Sequence, residues 1–328
     1  RASANPHLRA DKFPAPQALY AAGGLSALRG DAAEKSSFLL GLGVNVNFAP
    51  VCDITQQEGA FLYDRSLGQD ARTTAGYVGR EVSLYGAEGM GCVLQRFPGY
   101  GNNPDTHTGI AVDERSYEAF QREDFLPFEA GVQAGAGCVL VSHNIVTCRD
   151  GEAPASLSPE WHRVLREELG FTGCIITDDL VMDAIQEYCD ASSAAVQAVQ
   201  AGNDLPCCSD YETQYPAVLA AVESGALSEE RIEESALRVL RWKEALGLLS
   251  ASKGGFFVGS REFPKKDWDW FRQAAALLEE CFPHAYSGEL ARQQMELCVE
   301  EGRVSLMAWE EGRLLGFVGA MPQYGVTA

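Results

Sequence analysis

Between residues 40 and 245 short apolar runs alternate with stretches of helical periodicity. The runs are GVNVNFAP (43–50), GCVLQ (91–95), GCVLVSH (137–143), GCIITD (173–178) and AGNDLPCC (201–208). Each is rich in β-branched residues or cysteine and opens near a glycine. Runs this short, apolar at successive positions, predict parallel strands covered on both faces. Between them, ARTTAGYVGREVSLYGAEG (71–89), FLPFEAGVQAGA (125–136), SPEWHRVLREELG (158–170), SSAAVQAVQA (192–201) and YPAVLAAVESG (215–225) predict helices. Ser158 before Pro159 supplies a hydroxyl cap and a first-turn proline, and Gly170 supplies a stop. GGLSALRG, from Gly23, follows a helical pattern and reads as a turn. Strand–helix repetition at this spacing means an α/β domain, either a barrel or a doubly wound sheet.

The pattern changes after residue 246. A Gly/Ser/Lys-rich connector (247–267) leads to two amphipathic helical stretches, WDWFRQAAALLEECFP (268–283) and ELARQQMELCVEEG (289–302). RVSLMAWEEGRLLGFVGAMPQYG (303–325) then reads as a hairpin turning at Glu311-Gly312. The expected organisation is therefore a first domain over 1–250 and a second over 251–328.

Composition narrows the function classes. A formal net charge of −20 over 328 residues argues against nucleic acid and against an anionic membrane surface. No apolar run is long enough to span a bilayer as a helix. The cysteines fall mostly inside apolar runs, as Cys92, Cys138 and Cys174 do, where a reduced thiol serves as a small hydrophobe. None has zinc-finger spacing, so no metal is expected, and the reading is a reducing, cytoplasmic setting. No G-x-G-x-x-G follows a strand, which leaves a dinucleotide site unsupported.

Polar residues cluster just after the strands: Asp53, Arg65, Gln95-Arg96, His143-Asn144 and Asp178-Asp179. Strand C-terminal ends are where barrels and doubly wound sheets alike place their chemistry. LQRFPGYGNNPDTHTG (94–109) takes a buried strand into a Gly/Pro/Asn-rich loop ending in Asp105-Thr106-His107. Asp105, two residues before His107, is placed to accept a ring N–H and set the tautomer. In IITDDLVMDAI (175–185), Asp179 is expected to cap the next helix, leaving Asp178 as a nucleophile, base or ligand. Asp204 reads as structural, bonding neighbouring strand ends.

NVNFAPVCDI, YDRSLGQD, QRFPGYGNNPDTHTGI, GFTGCIITDDLVMDAI and AGNDL stand in the order found in glycoside hydrolase family 3. Over about residues 1 to 248 the chain resembles that family's bacterial β-N-acetylglucosaminidases. The resemblance implies a TIM-like (β/α) barrel and no cofactor. It makes Asp178 the nucleophile, His107 the acid/base and Asp105 its partner. Arg65, Gln95 and Arg96 would contact sugar hydroxyls, and Arg1 would be the arginine closing an E-G-G-x-V-x-R motif. The loop carrying His107 would close over bound sugar. Where the family has Lys-His, this chain has Gln95-Arg96: Gln gives up the lysine charge, and Arg replaces the imidazole with a larger five-donor fork. Pro206 stands where a barrel strand continues with aliphatics. The E-G-G strand and the one before it are missing from the sequence, so a barrel lacking its first strands, part of a longer protein, is expected.

The tail from about 255 resembles the start of GNAT-superfamily acetyltransferases, a partial α+β unit that stops short of a pyrophosphate loop. Acetyl-CoA would be a partner only if that domain is completed downstream. The implied activity is a retaining exo-β-N-acetylglucosaminidase acting on a small carbohydrate substrate. The alternatives are a β-glycoside phosphorylase of the same family and a catalytically weakened sugar-binding module.

Overall fold

The computed structural model describes residues 11–249, together with the backbone of two strands at 304–310 and 313–319. By its contacts the chain divides into two compact units, Arg1–Leu249 and Ser250–Ala328. Arg1 and the predicted helices of the tail lie outside the described residues.

The first unit is built on five parallel strands: β1 (Val46–Asn47), β2 (Gly91–Phe97), β4 (Cys138–Val141), β6 (Cys174–Asp179) and β7 (Leu205–Cys207). They lie in the order β1-β2-β4-β6-β7. The order rises with the sequence and never reverses, so the sheet lacks the switch point of a doubly wound fold. It is a curled parallel sheet, an arc of a TIM-like barrel with β1 and β7 at its edges. A short parallel pair, β3 (Val112–Asp113) with β5 (Ile145–Val146), sits in the loops that follow β2 and β4.

The predicted runs form these strands because they are covered on both faces. All seven residues of β2 and all four of β4 are buried. The glycine that opens β4 has a packing cause. A Cβ on Gly137 would lie 2.1 Å from the indole Nε1 of Trp242. Trp242 belongs to α9 (Glu229–Ala245), and its ring packs with Val93, Cys138, Leu140 and Cys174 at the N-terminal end of the sheet. Burial pushes the Cys92 and Cys174 thiols up to about 12, so both remain protonated core groups.

The helices follow the sequence pattern. In α2 (Ala71–Ala87), Asp70 caps the start by accepting from Thr73 N at 2.9 Å. Thr74, Tyr77, Val78, Glu81, Val82 and Tyr85 form its buried stripe. α4 (Phe125–Gln133) packs against α2. α5 (Pro159–Arg163) begins at Ser158, whose hydroxyl accepts from Trp161 N, and its continuation ends at Gly170 with φ 65°. α7 (Ala191–Ala201) and α8 (Tyr211–Glu223) follow β6 and β7. The turn expected at Gly23 is a kink instead. Gly23 and Gly24 leave helical geometry inside α1 (Pro16–Gly41), and the helix resumes beyond them. Pro206 is accommodated because β7 is an edge strand: Leu205 and Cys207 pair with β6, and proline's missing donor falls on the free side.

Asp204 is structural. Its carboxylate meets Arg166 at 2.8 Å and Arg238 at 3.0 Å, and accepts from Ser235 Oγ at 2.7 Å and from Ile175 N at 3.0 Å. These contacts tie β6, β7 and α9 together at the end of the sheet opposite the Asp178 end. Removing one partner of a buried ion network strands the others without a counter-charge. Asp204→Ala is therefore expected to cost about 3–5 kcal/mol of stability, read by urea unfolding. A change below 1 kcal/mol would show that solvent takes over the two arginines.

In the second unit, β8 (Val304–Glu310) and β9 (Arg313–Gly319) are antiparallel, with Glu310 opposite Arg313, as the hairpin pattern predicts. No helix among the described residues is long and apolar enough to cross a membrane.

Candidate functional site

The C-terminal ends of β1, β2 and β6 open onto a cavity of about 780 Å³. Its wall includes Arg65, Gln95, Arg96, His107 and Asp178, five of the seven residues singled out from the sequence. Asp105 joins them through His107, and Arg1 lies outside the described residues.

His107 sits in a short 3₁₀ turn, Thr106–Thr108, at the tip of the loop that leaves β2. Asp105 Oδ1 accepts from His107 N at 2.9 Å and lies 2.6 Å from His107 Nδ1. One carboxylate oxygen thus fixes both the backbone and the ring, and directs Nε2 away from the pair. The ring is about half exposed, and Phe61 meets it edge-on at 6.1 Å between centroids.

Asp178 and Asp179 end β6 in different environments. Asp178 Oδ1 accepts a single bond, from Asp179 N at 3.0 Å, and the residue faces the cavity. Asp179 is fully engaged: Oδ1 accepts from Val181 N and Ser209 N, both at 3.2 Å, and Oδ2 accepts from the Ser209 hydroxyl. The expectation that Asp179 caps the next helix is corrected here. α6 (Asp183–Gln186) starts after Met182 with no side-chain cap, and Asp179 instead laces β6 to the loop after β7. Behind this strand end, His143 is buried, with Nε2 3.1 Å from Asp179 O and Nδ1 2.7 Å from Ser156 Oγ. Burial holds its imidazole below the usual range, against the opposing pull of Asp178. The neutral ring then donates from Nε2 to the carbonyl and accepts the serine proton at Nδ1.

Gln95 and Arg96 line the cavity, yet both are spoken for. Arg96 Nη1 meets Asp53 Oδ2 at 2.9 Å in a pair where both side chains are almost wholly buried. Gln95 Nε2 donates to Phe48 O. The peptide between them is cis, as are Ala49–Pro50 and Phe97–Pro98. Burial pushes Asp53 up, and Arg96 is the main influence holding it down. Asp53, noted in the sequence only as a polar residue after a strand, therefore underpins the floor of the site.

The loop from Pro98 to Gly109 is more firmly held than its glycines suggest. Asp53 Oδ1 accepts from Tyr100 N at 2.9 Å, Thr55 Oγ1 donates to Asn102 at 2.6 Å, and Asn103 donates to Asp113 at 2.8 Å. Arg115 ties Asp113 to Asp124 and donates to Gly99 O at 3.2 Å. Gly99, at φ 132°, has room for nothing larger, since a Cβ would lie 2.2 Å from Asp124 Oδ1. Burial raises Asp124 to about 7 despite its arginine. At the far end of the loop, Glu187 accepts from Ile110 N at 3.3 Å. No group of metal-ligating side chains occurs among the described residues.

Comparison with known proteins gives one family. The model of the glycosyl hydrolase family 3 N-terminal domain matches residues 7–242. A β-hexosaminidase from Xanthomonas oryzae pv. oryzae is 32% identical over 237 residues, 71% of this chain and 69% of the relative. One from Nitrosomonas eutropha is 35% identical over 171 residues, and that match spans 51% of this chain and 49% of the relative. The solved family 3 β-N-acetylglucosaminidase from Paenibacillus sp. superposes with a TM-score of 0.68 at 32% identity, covering 78% of this chain and 51% of that one. A fungal multi-domain family 3 β-N-acetylglucosaminidase that contains a GCN5-related glucosamine N-acetyltransferase region gives 0.66 at 28%, covering 73% and 30%.

Proposed function

The chain belongs to glycoside hydrolase family 3, and on that premise we propose that it is a retaining exo-β-N-acetylglucosaminidase. The observation that carries the reading is the sharing of one cavity by Asp178 and the His107–Asp105 pair. Retaining hydrolysis needs a nucleophile on one side of the anomeric carbon and a proton donor at the leaving oxygen. Asp178, bound by one backbone N–H, has a free oxygen for the first task. The His107 ring, with Nδ1 on Asp105, presents Nε2 for the second.

In the first step an Asp178 oxygen bonds to the anomeric carbon as the glycosidic C–O bond breaks, and His107 Nε2–H passes its proton to the departing oxygen. Asp105 stabilises the imidazolium that precedes this transfer. In the second step His107 Nε2 takes a proton from water, whose oxygen displaces the Asp178 ester and releases the sugar. Arg65 would bind sugar hydroxyls, and Gln95, whose Nε2 is engaged by Phe48 O, would offer its side-chain carbonyl. Arg96 contributes its fork mainly to Asp53, so its share in sugar binding would be small. For the tail, the β8–β9 hairpin and the acetyltransferase region of the fungal relative support an acetyltransferase-type unit.

The test is turnover of an aryl N-acetyl-β-glucosaminide with and without phosphate, with the products identified. Free N-acetylglucosamine under both conditions supports hydrolysis. A sugar 1-phosphate would point to phosphorolysis, and binding without turnover to a sugar-binding module.

A further inference from the structure

Inside the loop that carries His107, a buried phenol makes contacts that the mechanism above does not use. Tyr100 is 1% exposed and stands between two glycines. Its hydroxyl donates to Pro104 O at 2.7 Å and accepts from Thr106 N at 2.8 Å, with Thr106 Oγ1 at 3.2 Å. Pro104 and Thr106 are the residues on either side of Asp105. The side chain of Asp105 in turn fixes both the backbone and the ring of His107. At its other end Tyr100 is anchored through its own N–H to Asp53, the partner of Arg96. Phe61 lies against both rings, 5.8 Å from Tyr100 and 6.1 Å from His107 between centroids.

We propose that Tyr100 is a positioning residue whose hydroxyl staples the backbone on both sides of Asp105, and so aims His107 into the cavity. The proposal rests on the glycosidase reading and adds to it a residue that touches neither sugar nor reacting atoms. The chemistry suits a staple. Pro104 has no N–H of its own, and Thr106 is buried, so its amide has no ready access to water. Without the hydroxyl, the buried Thr106 N–H would be left unpaired and the exposed Pro104 carbonyl would lose its tie to the loop interior. The loop would have to shift outward to hydrate the Thr106 amide. Burial also raises the Tyr100 pKa above its usual value, which keeps the donated proton in place across the working pH range. Bonds at Gly99, Tyr100 N, Asn102 and Asn103 hold the first half of the loop. The phenol extends that hold to the backbone on either side of Asp105.

Tyr100→Phe keeps the ring packing and deletes only the hydroxyl. For substrates with poor leaving groups, which need His107, kcat/KM is expected to fall about 10- to 100-fold, the size expected for a misplaced catalytic group. For a dinitrophenyl glycoside the loss should stay within about threefold. Combined with His107→Ala, the substitution should add nothing further, because the group it aims is gone. Equal losses for both leaving groups, or full additivity with His107→Ala, would make Tyr100 a merely structural residue and overturn the proposal. Amide hydrogen exchange at Thr106 and His107 reads the staple without reference to turnover. Protection in the wild type that is lost in Tyr100→Phe is expected; unchanged exchange overturns the staple. Should Tyr100→Phe fail to fold, Thr106→Val removes one of the phenol's contacts, and the same leaving-group asymmetry is expected at smaller size. Symmetrical losses there count against the proposal. A wild-type protein that turns over none of these substrates refutes the glycosidase reading and the aiming role together, while the exchange measurement still decides whether the staple exists.

Discussion

Asp178→Ala is expected to lower turnover of aryl N-acetyl-β-glucosaminides by about four orders of magnitude or more, the scale on which covalent nucleophiles act. The choice between two adjacent aspartates follows from their bonds. Asp179 has both oxygens committed, to Val181 N, Ser209 N and the Ser209 hydroxyl. Withdrawing them to attack a sugar would undo the tie between β6 and the loop after β7. Asp178 accepts one backbone bond and borders the cavity. Trapping with a fluorinated glycosyl donor bearing a good leaving group, followed by peptide mass spectrometry, should place the adduct on Asp178. An adduct on Asp179 or Asp204 would overturn the assignment. Asp179→Asn keeps most of the lacing and should lose far less activity than Asp178→Ala.

The strands of the sheet were legible because covered parallel strands read as unbroken apolar runs, and each of the five predicted runs overlaps one strand of the sheet. The side-chain bonds were less legible. Arg96 stands as a sugar contact through the family resemblance, and its bond to Asp53, 43 residues away in sequence, is a separate feature that no motif announces. Periodicity carries no information about such a pair. Asp179 looked like a cap because an aspartate after a strand and before a helix usually is one. Besides the neighbouring Val181 N, its partners lie in the loop after β7, which no local pattern could have linked to it. Tyr100 carries no signal in the sequence, because its flanking glycines advertise freedom and its hydroxyl bonds to Pro104 O and Thr106 N arise only once the loop is folded. The Asp105–His107 pair was readable because both partners lie within three residues of each other.

His107→Ala should separate substrates by the need of their leaving groups for a proton. General acid catalysis contributes roughly 10²- to 10⁴-fold when the leaving oxygen is a poor one, and little when the departing anion is already stable. For an alkyl or saccharide leaving group, kcat/KM is therefore expected to fall about 10³-fold. For a dinitrophenyl group it should fall less than about tenfold, because kcat/KM reports only steps up to formation of the Asp178 ester. The second step behaves differently. Water attack on the ester needs His107 as a base whatever group has left. With the activated substrate, kcat and KM should then fall together, and the glycosyl-enzyme should accumulate enough to be seen by intact-protein mass spectrometry. Asp105→Asn should move every one of these quantities in the same direction by less, since an amide can still meet the ring at Nδ1 but does not stabilise its charge. The pattern is specific to a residue that handles protons at two stages. Equal losses for good and poor leaving groups, with no accumulated intermediate, would remove His107 from the acid/base role and leave Asp178 in need of another proton donor.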